Sequence, residues 1–487
     1  MHRRSFVLRL GSVALAGLTL LSTVPTQPAG AAGLDSKLRL HPLLQSGALL
    51  EPDKKVNVIV QKKDKKVDSA TLVKKVDSTA TVQKELPLIG GFLTSLSQKQ
   101  LAKLASDTSV RYVSPDARVR LQAIDTSALK TTYETAVGID QVWNSPTLPA
   151  TGKGVTVAVL DTGVNAAHPD LKAAKTGGTL VQVNINPRTL DAGDQHGHGT
   201  HVVGTIKGRD SLGRYIGAAP DARVISVKVA DDTGMATESD LVSALQWVYD
   251  NRGTYNIRAV NLSIISSVAT PYTQSPINAY VEQLWFSGIA VVVAAGNGGS
   301  AADAVYYAPA NDPYVITVGA LDDNQTALAA DDSLASFSSR GITQDGFAKP
   351  DVVAPGRKVV STLASQTATL AKTYPDRITD SNYIRLSGTS MAAPVVTGTV
   401  ALLLERFPSL TPNQVKALLT QTAVAYPGMA DTAGAIDPRA MLTFLASGGQ
   451  PGVANEGLTP ASGLDAVTGT VSSSSQAYWN QAYWNQA

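Results

Sequence analysis

The chain has 487 residues, 44 % of them hydrophobic and 16 % charged, which supplies a large core and exceeds one ordinary domain. It contains no cysteine, so disulfide staples, zinc–thiolate sites and a cysteine nucleophile are excluded. Charge is uneven: +3 over residues 1–32, +7 over 33–122 and −8 over the rest of a chain totalling +2. The lysines of the basic part are mixed with acids and lack interleaved aromatics, which disfavours a nucleic-acid partner and favours complementarity between two parts of one chain.

Residues 1–32 start with Arg3, Arg4 and Arg9, continue through an apolar run from Val13 to Val24, and end in Ala29-Gly30-Ala31-Ala32. This is the pattern of an export signal cleaved near Ala31, which implies a secreted protein. The alternative, a membrane anchor, needs roughly 18 apolar residues, so no stable membrane insertion is expected. Arg3-Arg4-Ser5-Phe6-Val7 also matches a twin-arginine signal loosely. A polar lead-in over 33–53 follows. Residues 54–122 then alternate like β-α-β-β-α-β, a small ferredoxin-like α+β unit, with strand patterns at Val56–Val60 and Val110–Val113 and Ser97 as an N-cap.

Residues 123–134 carry few large apolar side chains and are expected to be a linker. From 135 to 446, apolar strands (Val155–Leu160, Arg223–Val229, Ala259–Ile264, Ala290–Ala294, Tyr314–Val318) alternate with helices at Glu238–Tyr249 and Ala392–Phe407. Near-continuous apolar strands between helices predict an α/β fold, a mostly parallel sheet with helices on both faces. Residues 447–487 are expected to be a flexible low-complexity tail. It ends in a direct repeat, Gln476-Ala-Tyr-Trp-Asn480 and Gln481-Ala-Tyr-Trp-Asn485, either disordered or a docking peptide.

In a parallel sheet, chemistry gathers at the carboxyl ends of the strands. Asp161 sits there, in Asp161-Thr162-Gly163 after an apolar strand. His198 lies in His196-Gly197-His198-Gly199-Thr200-His201, which holds three of the six histidines. A zinc site is one alternative, but the metalloprotease spacing with an intervening Glu is missing. Ser390 lies in Ser387-Gly388-Thr389-Ser390-Met391-Ala392-Ala393-Pro394, ahead of an apolar helix whose dipole favours negative charge nearby. Asn297, flanked by Gly296 and Gly298 at a strand end, is an amide that can donate to an oxyanion. Alone, each has a plain reading: turn aspartate, helix-capping serine, turn asparagine.

Together the segments resemble the signatures of the subtilase family, in the order Asp161…His198…Ser390. Further matches are His168-Pro169-Asp170-Leu171, Phe337-Ser-Ser-Arg340-Gly341 and Lys349-Pro-Asp-Val-Val-Ala-Pro355-Gly356. The resemblance covers about residues 135–446, and residues 54–121 resemble the family's inhibitory propeptide. It implies a serine endopeptidase acting on protein or peptide substrates through Asp161, His198, Ser390 and Asn297. It also implies that the chain's own propeptide is an intramolecular inhibitor, with self-cleavage between Leu121 and Lys130. An inactive binding fold, an acyl transferase and a narrow maturation protease are the competing roles.

The resemblance further implies a substrate-pairing edge at Ser263, Ile264 and Ile265. Ile265 and Ser266 stand where the family usually has two glycines. Ala294, Ala295 and Gly296 are expected to line a pocket that accepts apolar side chains. No cofactor is expected for catalysis. A structural calcium is implied at Asp170 with the loop positions Arg209, Ser211, Gly213 and Tyr215, against the alternative of a plain surface loop.

Overall fold

The computed structural model describes residues 39–45, 54–121, 132–172, 180–211, 213–426, 429 and 432–461. The expected export signal, the processing bond and the Tyr-Trp-Asn repeat lie outside these residues. None of the described helices is long and apolar enough to cross a membrane.

Period-two alternation builds the N-terminal unit. Strands β1 (Val56–Lys62), β2 (Val82–Leu86), β3 (Gly91–Leu96) and β4 (Val110–Pro115) pair antiparallel in the order β2-β3-β1-β4, with helices Ser69–Lys74 and Gln98–Ser106 in the two crossovers. This is the ferredoxin-like connection. Asp68 caps the first helix by accepting from the Thr71 N–H at 2.7 Å, and Ser97 opens the second with its N–H on Gln100 Oε1 at 2.7 Å.

Successive residues of a strand point to opposite faces. Val58, Val60, Phe92 and Leu96 therefore close a core of the unit's own, while Ile59, Leu86, Ile89 and Leu93 join the main core. Leu40 and Leu44 pack in the smaller core, so part of the lead-in belongs to this unit and is not a loose connection.

The main sheet follows from buried apolar runs. Besides β5 (Arg118–Leu121), the strands are β6 (Thr156–Asp161), β7 (Leu180–Asn184), β8 (Arg223–Lys228), β9 (Met235–Thr237), β10 (Ile257–Leu262), β11 (Ile264–Ser266), β12 (Ala290–Ala294), β13 (Ile316–Asp322) and β14 (Ser333–Leu334). The sheet order is β14-β13-β12-β10-β6-β8-β7, and the strand Val352–Pro355 also pairs with β13. Every pairing is parallel except β13 with β14. Two packed helix pairs flank it, Glu238–Tyr255 with Pro276–Phe286, and His198–Lys207 with Thr389–Arg406.

Three boundaries depart from the sequence reading. The expected strand Ala259–Ile264 divides at Ser263: β10 stays in the parallel sheet and β11 leaves it to pair antiparallel with β5. Residues 132–134, expected in the linker, pack with the main body: Tyr133 is buried and its hydroxyl donates to the Ile216 carbonyl at 2.9 Å. Residues 447–461, expected to be flexible, are pinned: Tyr314 and Tyr272 donate to the Leu458 and Thr459 carbonyls at 2.8 and 2.7 Å, and the Ala461 N–H donates to buried Glu282 at 2.7 Å. Backbone bonds to distant side chains leave no periodic trace.

Helix Thr389–Arg406 crosses the body at Gly398, where an added Cβ would stand 2.4 Å from the Ala218 methyl. Gly398→Ala is expected to cost about 1–3 kcal/mol despite alanine's better helix propensity, because that methyl is fixed to the backbone. A lowered urea midpoint in an inactive background measures it.

Candidate active site

Asp161 ends β6 and is fully buried. A bare buried carboxylate is costly, so its bonds matter. Oδ1 accepts from the Thr162 N–H at 2.8 Å and from His198 Nδ1 at 2.7 Å. Gly163 makes the turn that brings the two together: its φ is +102°, and a Cβ there would stand 2.5 Å from the Gly193 carbonyl oxygen. His198 begins its helix directly after Gly197, whose φ is +104°.

Asp194 ties these two elements. One carboxylate oxygen accepts from Thr162 Oγ1 at 2.8 Å and the Gly197 N–H at 2.7 Å; the other accepts from the Thr200 N–H at 2.7 Å and Thr200 Oγ1 at 2.6 Å. Burial pushes its carboxyl up from the ordinary value, against these four bonds. Buried Lys228 does similar work, donating to the Thr162 and Gly193 carbonyls at 3.0 and 2.7 Å and pairing with Asp232 at 2.9 Å. Sequence reasoning missed both residues, because a single Asp or Lys near a motif carries no pattern.

The other two histidines do different things. Burial brings His196 down to about 4. Burial brings His201 down to about 3, with Nε2 on the Val359 carbonyl at 3.1 Å. His198 Nδ1 and His201 Nε2 therefore have separate oxygen partners.

Ser390 lies in the first turn of helix Thr389–Arg406, which begins three residues earlier than the apolar pattern suggested. The helix contains Pro394, which has no N–H to return to the Ser390 carbonyl four residues back. Ser263 Oγ takes that carbonyl instead at 3.0 Å, and Ser390 Oγ lies 3.3 Å from the Ser263 carbonyl. Ser263 follows Leu262, which pairs with Leu160, the neighbour of Asp161. The ends of β6 and β10 thus gather Asp161, Ser263 and Ser390.

Asn297 completes the group. Its Oδ1 accepts from the Thr389 N–H at 2.9 Å and Thr389 Oγ1 at 3.2 Å. A backbone N–H can only donate, so this contact fixes the amide with Nδ2 on the other side. Asn297 Nδ2 and His198 Nε2 are both buried and without a partner among the described residues. Asp161 Oδ2 beside them is buried and unpartnered as well, and buried unpaired polar atoms ask for an explanation. An imidazole held at Nδ1 and open at Nε2 is equipped to take a proton. An open amide N–H beside a serine can receive negative charge.

The expected substrate edge is real as a strand. β11 pairs antiparallel with β5, which pairs on its other side with β9, so that Ile264, Ile265 and Ser266 face Leu121, Arg120 and Val119. Ser266, where a glycine is usual, donates to buried Glu238 at 2.6 Å. Ala294 and Ala295 are buried at the β12 end; the pocket beside Asn297 is walled by Ile265 and by Ala301, Asp303, Ala304 and Tyr307, four residues that sequence reasoning missed.

The residues do not fit a calcium ion as they stand. The Asp170 carboxylate accepts the Tyr383 hydroxyl, and Tyr215 stacks on Tyr383 at 4.0 Å between centroids. Arg209 pairs with Asp221 at 3.1 Å, and the loop's own cation, Arg214, pairs with Asp210 at 2.8 Å. Ser211 and Gly213 lie in a turn closed by the Gly213 N–H on the Asp210 carbonyl at 3.1 Å. No cluster of three metal-binding side chains occurs among the described residues.

The fold is a mostly parallel α/β sheet flanked by helices, with a serine, a histidine and a buried carboxylate placed at strand ends and helix starts. The subtilase family model matches residues 152–455, and the chain belongs to that family. It is 40 % identical to serine protease AprX of Bacillus subtilis over 60 % of this chain and 65 % of that one. It is 33 % identical to subtilisin E of the same species over 70 % of this chain and 77 % of the relative. The structure is also similar to fervidolysin of Fervidobacterium pennivorans, described as a keratinolytic enzyme related to subtilisin, with TM-score 0.62, 26 % identity, and coverage of 80 % of this chain and 61 % of that one. The chain thus spans a little under two thirds of AprX and of fervidolysin.

Asp194→Ala is expected to lower kcat more than tenfold while moving KM little, because the Asp161–His198 pair loses its brace and the peptide edge does not. Steady-state kinetics on a peptide substrate measure the split.

Proposed function

We propose that the chain is a secreted serine endopeptidase made as a self-processing precursor. Asp161, His198 and Ser390 act as a triad, and Asn297 with the Ser390 N–H forms the oxyanion hole. The observation that carries this is the buried imidazole bonded at Nδ1 to Asp161, with Nε2 and the Asn297 amide N–H left open.

His198 takes the Ser390 proton as Oγ attacks the peptide carbonyl; Asp161 keeps the imidazole in the required tautomer and stabilises its protonated form. The Asn297 Nδ2–H and the Ser390 N–H meet the developing oxyanion. His198 then gives its proton to the leaving amine, and water, activated by the same imidazole, hydrolyses the acyl-enzyme. Substrate joins β11 as an added strand.

Residues 39–121 act as the inhibitory propeptide. β5 lies between β11 and β9 as a bound peptide strand would. Asp116 accepts from the Ser239 N–H at 2.7 Å and Ser239 Oγ at 2.8 Å, at the N-terminus of helix Glu238–Tyr255. Export rests on the signal pattern of residues 1–32. A structural calcium is not part of this proposal, given the partners of Asp170.

Ser390→Ala purified alone is expected to retain its N-terminal unit, whereas the native chain sheds it at a bond within residues 121–130. Loss of that unit by the variant would overturn self-processing. Asn297→Ala is expected to lower kcat by about a hundred- to thousandfold, and Asp161→Asn by about 10⁴.

Inhibition should also depend on pH. Burial raises Asp116 to about 6 and Glu238 to about 8 in the docked form. A carboxyl raised by docking favours docking while protonated. The Asp116 contribution is complete below its ordinary value near 3.8 and lost as pH rises through about 6; the Glu238 contribution is lost as pH rises through about 8. The fraction of processed enzyme still inhibited should therefore fall from pH 4.5 to pH 8.

A further inference from the structure

Beside the Asn297 amide lies a pocket of about 260 Å³, walled by Ile265 and Ser266 on the substrate edge and by Ala304, Asp303 and Tyr307. A peptide added to β11 with its reacting carbonyl at Ser390 and Asn297 presents the side chain of that residue, P1, to this pocket. Ile265 Cδ1 approaches Gly296, where an added Cβ would meet it at 3.2 Å. The branched side chain therefore takes up space that a wide aromatic ring would need. Asp303 is the one charged residue among the walls. Asp303 is solvent-exposed, and its Oδ2 accepts from Tyr307 Oη at 2.5 Å. The bond to Asp303 raises the Tyr307 hydroxyl to about 12, so the phenol remains a donor that orients the carboxylate.

We infer that Asp303 sets the P1 preference of this enzyme, toward long unbranched side chains that end in N–H donors: lysine, arginine and glutamine. The inference deepens the proposed endopeptidase reading and rests on it. An aliphatic stem packs along Ile265 and Ala304 while its polar end reaches Asp303, the arrangement by which long cationic side chains bury their methylenes and keep a charged partner. Ala294 and Ala295, the residues expected to give apolar acceptance, are not among these walls. The chain's own sequence is consistent: the residue after Leu121, the last paired residue of β5, is Gln122, whose side chain ends in an N–H₂.

The test is kcat/KM on peptide substrates differing only at P1 (Lys, Arg, Gln, Leu, Phe, Glu), for the processed enzyme and for Asp303→Asn and Asp303→Lys. A fluorophosphonate probe first counts active Ser390. Lysine and arginine are expected to lead in the native enzyme. The Lys/Leu ratio should fall about tenfold in Asp303→Asn, and Asp303→Lys should raise Glu above Lys. Absence of both labelling and cleavage would overturn the endopeptidase reading itself. Normal labelling with leucine or phenylalanine leading, or an unchanged Lys/Leu ratio in the near-isosteric Asp303→Asn, would overturn the inference alone.

Discussion

A carboxylate with no access to water must find its bonds inside the protein, and the position of Asp161 turns that requirement into a design. One oxygen is shared between the Thr162 N–H and the His198 ring. The bond to His198 joins the end of a parallel strand to the start of a helix, two elements with no backbone ladder between them. Holding them in register needs further buried polar groups, and Asp194 and Lys228 supply them. Each is satisfied several times over, the condition under which buried charge adds rigidity. What this shell leaves open is the His198 Nε2 and, on Asp161 itself, Oδ2.

The serine side is organised by an absence within a helix. Pro394 cannot close the bond to the Ser390 carbonyl, and Ser263 closes it from the neighbouring strand end. The residue just before β11 is thereby tied to Ser390, the proposed nucleophile. Thr389 performs the matching task for Asn297, fixing its amide through two bonds to Oδ1 so that the donor side is free. Ser263, Ser390 and Asn297 are thus held to one another through hydrogen bonds, the fixed geometry that the proposed mechanism requires.

The N-terminal unit reaches the same edge from outside. Its sheet divides its side chains by alternation, one set for its own core and one for the main core, so it docks with apolar surface and with the carboxylate of Asp116 at a helix N-terminus. The basic balance of residues 33–122 against the acidic remainder agrees with that docking.

Much of this was legible in the chain. Buried parallel strands declare themselves by unbroken apolar runs, as at Ala290–Ala294, and the two-residue alternation of Val56–Val60 marks β1 directly. Asp161, His198, Ser390 and Asn297 stand in local motifs because glycine turns, strand ends and a helix start are properties of neighbouring residues. The division of Ala259–Ile264 at Ser263 was not legible, since one apolar run serves two sheets. Nor were Asp194, Lys228, Asp303 and Tyr307, or the tether of residues 447–461 to Glu282, Tyr272 and Tyr314. Their roles come from partners tens to hundreds of residues away. Local chemistry and periodicity are written along the chain, and they determined the class of fold and the proposed reacting groups. Which distant carboxylate braces the histidine, and which one waits in the pocket, is decided only when burial leaves each polar atom with the partners that packing allows.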